Sequence, residues 1–351
     1  MSQEPSSFAW TIPLQVSVSI GGPIPSAPPN PSAPPVPAGR ERVTAEGMFG
    51  RRVEDVFERA VRQFSLDALA GNEFTWQNAL NMALCSHVAY RTATDATRIA
   101  RNRLHFDTCQ PIAASGTEGF VAATPEAVVV AFRGTQQTAD WLINLNVSWT
   151  NARYGAVHRG FHDAFQSVRT VLEEALAYAH ADARPVLITG HSLGGALATI
   201  AAAEWHGRYP IAGIYTFGQP AVGFSAFRSH IAVRYRHTFH RVVNDDDIVA
   251  RVPPGYRHVG RLYHFTAGEV RHETLMASPG TDAAPASVAD DTPTMTRAEF
   301  EQLKGQLQLA RTVAPAAVNE SLHADVTQEG FFPSVSDHSL DRYIGKIFDH
   351  V

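Results

Sequence analysis

The segment PVLITGHSLGGALATIAAAEWH sets Ser192 between Gly190 and Gly194, with a β-rich run from Val186 to Thr189 before it and an alanine-rich helical run after it. A serine hydroxyl becomes a useful nucleophile when a histidine takes its proton and a carboxylate holds that histidine, so this segment invites acyl-transfer chemistry through a covalent intermediate. The glycines are part of that requirement. A serine held in a sharp strand-to-helix turn needs small residues two positions to either side, so that strand and helix can approach closely. The helix start also aims backbone N–H groups and the positive end of the helix dipole at an anion formed beside Ser192. A glycine-rich turn with a capping serine is the structural alternative. His191, inside the turn, reads as a packing residue rather than an acid or base.

On an elbow of this kind the partners follow in the chain order serine, acid, histidine. The strand-like run Phe239 to Val243 ends in Asn244, Asp245, Asp246 and Asp247, which puts carboxylates at a strand's carboxyl end. After Asp247 come His258, His264, His272, His323, His338 and His350. A developing oxyanion needs two backbone donors, and Leu193, the residue after the nucleophile, supplies one. His158 and His162 are spaced four apart, but Arg159 stands where an HExxH site would have its glutamate. The Asp245 to Asp247 run lacks the alternating spacing and glycine of a calcium loop. The chemistry therefore calls for no metal and no cofactor.

These segments resemble the class 3, or fungal-type, lipases of the α/β-hydrolase fold. That family's serine segment reads GHSLGGALA, as Gly190 to Ala198 does, and its acid segment is similar to VVNDDDIVARVPP, with the acid directly before the Ile-Val pair. The resemblance makes Asp247 the acid and leaves Asp245 and Asp246 as turn-forming or exposed carboxylates. It makes His338 the base, because SDHSLDRYIGKI is similar to the family's D-H-x-x-Y, with one extra residue before Tyr343. His323 and His264 are the alternatives, and His258, in YRHVG, looks structural. The run Phe132, Arg133, Gly134, Thr135 resembles the family's FRGT and implies Thr135 as the second oxyanion donor. Asp140 and Trp141 echo its DW pair, bracing this loop or capping a helix. The segment that follows is implied to be a lid, with Trp141, Leu142, Leu145 and Trp149 on one helical face over an acyl pocket or a lipid surface. Alternation of Ile143, Leu145, Val147 and Trp149 fits a buried strand equally well.

The resemblance spans roughly residues 76 to 348. It implies a serine carboxylic-ester hydrolase, a lipase acting on acylglycerol esters through an acyl-enzyme, with an acyltransferase, a short-chain esterase or an inactive scaffold as alternatives. The separation of 338 − 247 = 91 residues between acid and histidine exceeds the family's usual spacing, and an insertion at 276 to 335 accounts for it.

The elements that must position these groups follow from periodicity. Helical spacing runs from Glu46 to Phe64, Trp76 to Tyr90, Phe161 to His180, Ala196 to His206, Glu299 to Arg311 and Ser339 to Phe348. Strand-like runs are Gly119 to Ala122, Ala127 to Phe132, Val186 to Thr189, Ile214 to Phe217 and Phe239 to Val243. Such alternation predicts an α/β fold with a mostly parallel central sheet and helices on both faces. Residues 1–40 form a Pro-rich arm and linker, GGPIPSAPPNPSAPPVPAG at 21–39 being barred from helix and sheet ladders. Within the arm, Ile12 to Ile20 reads equally as an edge strand or a frayed tail. The hydrolase domain takes 41–351, with a low-complexity insertion expected to be disordered at about 276–297.

Composition narrows the partners. With 44% hydrophobic and 18% charged residues among 351, the chain is that of a folded protein. Its net charge of −5, with signs interspersed, offers no basic stripe for nucleic acid. Protein partners are not legible. Two cysteines, Cys85 and Cys109, are too few for a disulfide framework, and their pairing is open. Arg40 is the first basic residue, so the charged start of a secretory leader is missing, and no apolar run reaches the roughly 18 residues of a membrane helix. A soluble, cytoplasmic protein acting on a lipid or ester substrate is the expectation.

Overall fold

The computed structural model describes residues 56–70, 73–266, 269–272, 294–313 and 333–351. The Pro-rich arm with its edge strand, the start of the first expected helix, residues 276–293 of the insertion, and His323 lie outside the described residues.

Eight strands form one sheet in the order β1 (Thr108–Ala114), β2 (Thr117–Ala123), β3 (Val128–Phe132), β6 (Val186–His191), β7 (Ile211–Phe217), β8 (Phe239–Asn244), β9 (Arg261–Thr266) and β10 (Glu269–His272). The central run from β3 to β9 is parallel, and antiparallel pairs close both edges. A separate hairpin pairs β4 (Trp149–Ala152) with β5 (Gly155–His158). The residues of β3 and β6 are all buried, as expected of parallel strands covered on both faces. Side chains divide by the strand period of two. Val128, Val130 and Phe132 join one apolar cluster with α4 (Arg159–Tyr178) and α5 (Leu193–Trp205). Val129 and Ala131 join the cluster on the other face with α1 (Trp76–Val88), α2 (Ala93–Asn102) and α8 (Leu340–Phe348). This is the mostly parallel, doubly covered α/β sheet that the alternation predicts.

Several elements were not singled out by periodicity: α2, β1, β4, β5, α6 (Ser225–Tyr235), β9 and β10. Strand β1 is an edge strand carrying Pro111 opposite Phe120, and its mixed burial blurs the alternation. Among the described residues no helix is long and apolar enough to cross a membrane.

Burial in this core carries a pH consequence. His240, on β8, is walled by the rings of Phe74, Tyr215 and Tyr263 at 5.1, 4.7 and 5.7 Å, and neither ring nitrogen has a hydrogen-bond partner among the described residues. Burial, with Arg261 nearby, pushes its pKa down to about 3. The unfolded chain binds that proton near pH 6.5, so the neutral imidazole stabilises the fold fully above about 6.5 and progressively less down to about 3. Urea unfolding should show a loss of roughly 2 kcal/mol from this residue between about pH 7 and pH 5. His240→Phe should remove that component; equal pH slopes in both proteins would refute the assignment.

Candidate active site

The parallel register brings the expected groups together before any side chain is considered. Phe132 of β3 pairs with Gly190 of β6, and His191 pairs with Phe217 of β7, which in turn pairs with Val242 of β8. The chain therefore leaves the sheet at one edge as Arg133-Gly134-Thr135, as Ser192-Leu193 and as Asp245-Asp246-Asp247, side by side.

Ser192 sits between β6 and α5 with φ 59° and ψ −131°, a region L-residues avoid at a cost of about 1–3 kcal/mol. Its N–H donates to the Phe217 carbonyl at 3.0 Å, and its own carbonyl accepts from the Gly195 N–H at 2.9 Å, which pins the turn from both sides. A Cβ on Gly190 would overlap the Gly194 backbone, and one on Gly194 would overlap the Phe132 carbonyl. Strand, turn and helix pack that closely only because both positions are glycine.

His338 lies between the single turn Pro333–Ser336 and α8. Its Nδ1–H donates to Asp247 at 2.8 Å to Oδ2 and 3.0 Å to Oδ1. Asp247 also accepts the Val249 N–H at 2.8 Å on Oδ1 and the Tyr343 hydroxyl at 2.6 Å on Oδ2. Burial by itself would raise the Asp247 carboxyl, but the facing His338 and the donors from His338 and Tyr343 hold it below the usual carboxylate range. Such a carboxylate fixes the Nδ1–H tautomer and leaves the Nε2 lone pair to receive a proton. His338 Nε2 and Ser192 Oγ are both buried, and neither has a hydrogen-bond partner among the described residues. They are the two atoms that proton transfer would join. Asn244 Nδ2 donates to the Asp337 carbonyl at 2.8 Å, holding the histidine turn to the end of β8.

Leu193 is the first residue of α5, so its N–H has no acceptor within the helix. Thr135, half-buried, follows β3 in the loop leading to α3 (Thr138–Asn144). The implied lid segment divides differently from the expectation of one helical face. Trp141 and Leu142 lie on α3 and Leu145 caps it in extended conformation, but Trp149 begins β4 and is 51% exposed. The helix stops because Leu145 turns extended, and of the alternation Ile143, Leu145, Val147 and Trp149 only Trp149 lies on a strand, where it is exposed rather than buried. Trp141 stacks on Phe161 at 6.3 Å, and Leu142 and Leu145 join the core. Helix α7 (Arg297–Val313), from the insertion, lies against α3. Arg311 pairs with Asp140 at 3.1 Å, and Lys304 donates to the Leu145 carbonyl at 3.3 Å. Asp140 therefore faces α7 and is not the helix cap, a place held by Gln137.

Three other histidines bond to the main chain. His264 donates to the Asp245 carbonyl at 2.7 Å and His258 to that of Ala250 at 2.6 Å. His158 caps α4, its Nδ1 accepting the Phe161 N–H. Asp245 pairs with Lys346. Cys85 and Cys109 are both free thiols. Two residues at the site escape assignment from sequence: Tyr343, whose signal is the tyrosine of the D-H-x-x-Y pattern, and Tyr90, for which no local pattern exists; His191 reads from sequence as packing alone.

The family model for Lipase (class 3) matches residues 129–256, a range that takes in Thr135, Ser192, Leu193 and Asp247 and stops short of His338. The chain is 35% identical over 163 residues to the "Secreted mono- and diacylglycerol lipase 1" of Fusarium solani, covering 43% of this chain and 48% of that protein. It is 31% identical over 192 residues to a "Lipase" of Rhizomucor miehei, covering 50% of each. The chain thus spans about half the length of the curated relatives it matches. Among solved structures it is similar to lipase II from Rhizopus niveus, with TM-score 0.47 and 22% identity over 62% of this chain and 90% of that one. The resemblance read from GHSLGGALA and VVNDDDIVARVPP is borne out over the matched residues. The expected cytoplasmic location is not: the Fusarium solani relative, and a Penicillium cyclopium relative 32% identical over 162 residues, are named secreted lipases. That expectation rested on the charge pattern of one kind of leader, which belongs to one export route and leaves the folded protein's compartment unspecified.

Proposed function

We propose, from the membership of residues 129–256 in the class 3 lipase family and the geometry around them, that the protein is a serine carboxylic-ester hydrolase, a lipase that cleaves acylglycerol esters. The observation that carries this reading is the buried Asp247–His338 pair, whose Nε2 has no partner, packed against a strained turn presenting an unpartnered Ser192 hydroxyl.

In this mechanism His338 Nε2 takes the Ser192 proton as Oγ attacks the ester carbonyl. The N–H groups of Leu193 and Thr135 hold the oxyanion, and Asp247 stabilises the imidazolium. His338 then protonates the departing alcohol, and water, deprotonated by the same imidazole, releases the acid from the acyl-enzyme. Helix α3 with Trp141, Leu142 and Leu145 acts as the lid over the acyl site, and Trp149, at the start of β4, is exposed where a lipid surface would meet it. The names of the Fusarium and Penicillium relatives support mono- or diacylglycerols as substrates and an extracellular place of work.

Hydrolysis of p-nitrophenyl esters from acetate to palmitate, each followed below and above its solubility limit, tests the reading. A lidded lipase should gain at least about tenfold in rate once a long-chain ester forms an interface, through uncovering of buried apolar side chains. Activity confined to soluble short esters would point to an esterase, and none on any ester would overturn the hydrolase reading.

A further inference from the structure

His191, the residue between Gly190 and the nucleophile, does more than fill space. Its Nε2 lies 2.7 Å from the main-chain carbonyl of His338, and its Nδ1 lies 2.9 Å from the Tyr90 hydroxyl. A carbonyl can only accept, so Nε2 carries the hydrogen; Nδ1 of the neutral ring then accepts from the Tyr90 O–H. The Tyr90 hydroxyl also lies against Gly134, directly before Thr135, where an added Cβ would overlap it. One buried run of contacts therefore leads from the loop expected to bind the oxyanion, packed on Tyr90, through the Tyr90–His191 hydrogen bond and the His191–His338 hydrogen bond, to the main chain of the histidine expected to be the base. The His191 ring also stacks on that of His338, with centroids 4.4 Å apart.

The groups facing His191 are His338, Asp247, Tyr90, Tyr343 and His87. Burial first, and then the neighbouring His338, pushes the His191 pKa well below the ordinary histidine value. The ring consequently remains neutral when its stacked neighbour becomes a cation, which spares that cation a like charge at van der Waals distance. A protonated ring would also lose the Nδ1 acceptor that Tyr90 requires.

Building on the hydrolase reading, we propose that His191 is a positioning residue: as an Nε2–H imidazole bridging Tyr90 and the His338 main chain, it holds the base and the oxyanion loop in one register with Ser192. Misplacement of reacting groups by about 1 Å can cost about 10²-fold in rate without touching binding. His191→Ala should therefore lower kcat on a soluble short-chain ester by about 10²-fold while KM stays within about twofold. His191→Gln, whose amide can donate to the carbonyl and accept from the tyrosine, should recover at least about tenfold of that loss. Tyr90→Phe should lower kcat about tenfold.

The experiment measures kcat, KM, thermal melting and the rate of fluorophosphonate labelling of Ser192 in the full chain and these three variants. Wild-type protein that resists labelling would overturn the hydrolase reading and this inference with it. Labelling of wild type with an unchanged kcat in His191→Ala would overturn the inference alone. Should the alanine variant fail to fold, the other two decide: the role stands if Tyr90→Phe loses kcat while His191→Gln keeps most of it. It falls if Tyr90→Phe turns over at the wild-type rate, or if His191→Gln melts normally yet loses about 10²-fold in kcat.

Discussion

Ser192→Ala should reduce ester turnover by about 10⁴- to 10⁶-fold, the range in which loss of a serine nucleophile leaves only the contribution of the oxyanion donors and binding. The expectation is large because nothing nearby can substitute. The hydroxyl is fully buried, and the flanking residues are His191, committed at both ring nitrogens, and Leu193. The same change should not destabilise the fold. Ser192 Oγ is a buried polar atom without a hydrogen-bond partner, and such a group costs about 1–3 kcal/mol, so its removal should leave the melting temperature equal or higher. Lost turnover with a preserved or raised melt is the signature of a site held at the expense of stability. A variant that still hydrolyses esters within tenfold of wild type would remove Ser192 from the mechanism.

Asp247→Asn should cost up to about 10⁴-fold in turnover, with KM for a soluble ester little changed. Every partner of this carboxylate is a donor: His338 Nδ1, the Val249 N–H and the Tyr343 hydroxyl. An amide replaces one acceptor oxygen by an NH₂. On the Oδ1 side it would confront the Val249 N–H, and on the Oδ2 side the Tyr343 hydroxyl. The second orientation is favoured, because a hydroxyl can accept where a backbone N–H cannot, and there the NH₂ donates to His338 Nδ1 and drives the ring hydrogen to Nε2. The tautomer with hydrogen on Nε2 cannot accept from Ser192, and this is why an isosteric change is so costly. Stopped assays with the purified variant, together with its rate of fluorophosphonate labelling, read both effects. Retention of more than about a tenth of wild-type turnover would mean that Asp247 does not orient His338.

The chemistry was legible where function and local conformation impose the same residues. GHSLG must be glycine-flanked because the Gly190 and Gly194 positions touch the Gly194 and Phe132 backbones, so the elbow is visible in the letters themselves. The buried parallel strands were legible for a similar reason, since continuous apolar runs such as VVVAF have no other stable environment in an α/β layer. The implied lid was only half legible. Trp141 to Trp149 satisfies two periods at once, and the choice between them was made by Leu145 turning extended and β4 pairing with β5.

What the sequence by itself determined is the glycine-flanked turn that presents Ser192 and the layered α/β architecture, because each depends on neighbours within a few residues or on a strand's own pattern; the choice of Asp247 among three adjacent carboxylates rests on the family resemblance. Only the tertiary structure decided that His338, 91 residues beyond Asp247, meets it at 2.8 Å, that Tyr343 steadies the same carboxylate, and that Tyr90 reaches His191. Those contacts join residues about a hundred positions apart, set by the parallel register of β6, β7 and β8 and by α8 packing on the opposite face. A hydrogen bond depends on where two atoms lie in space, and no local pattern of residues records that placement.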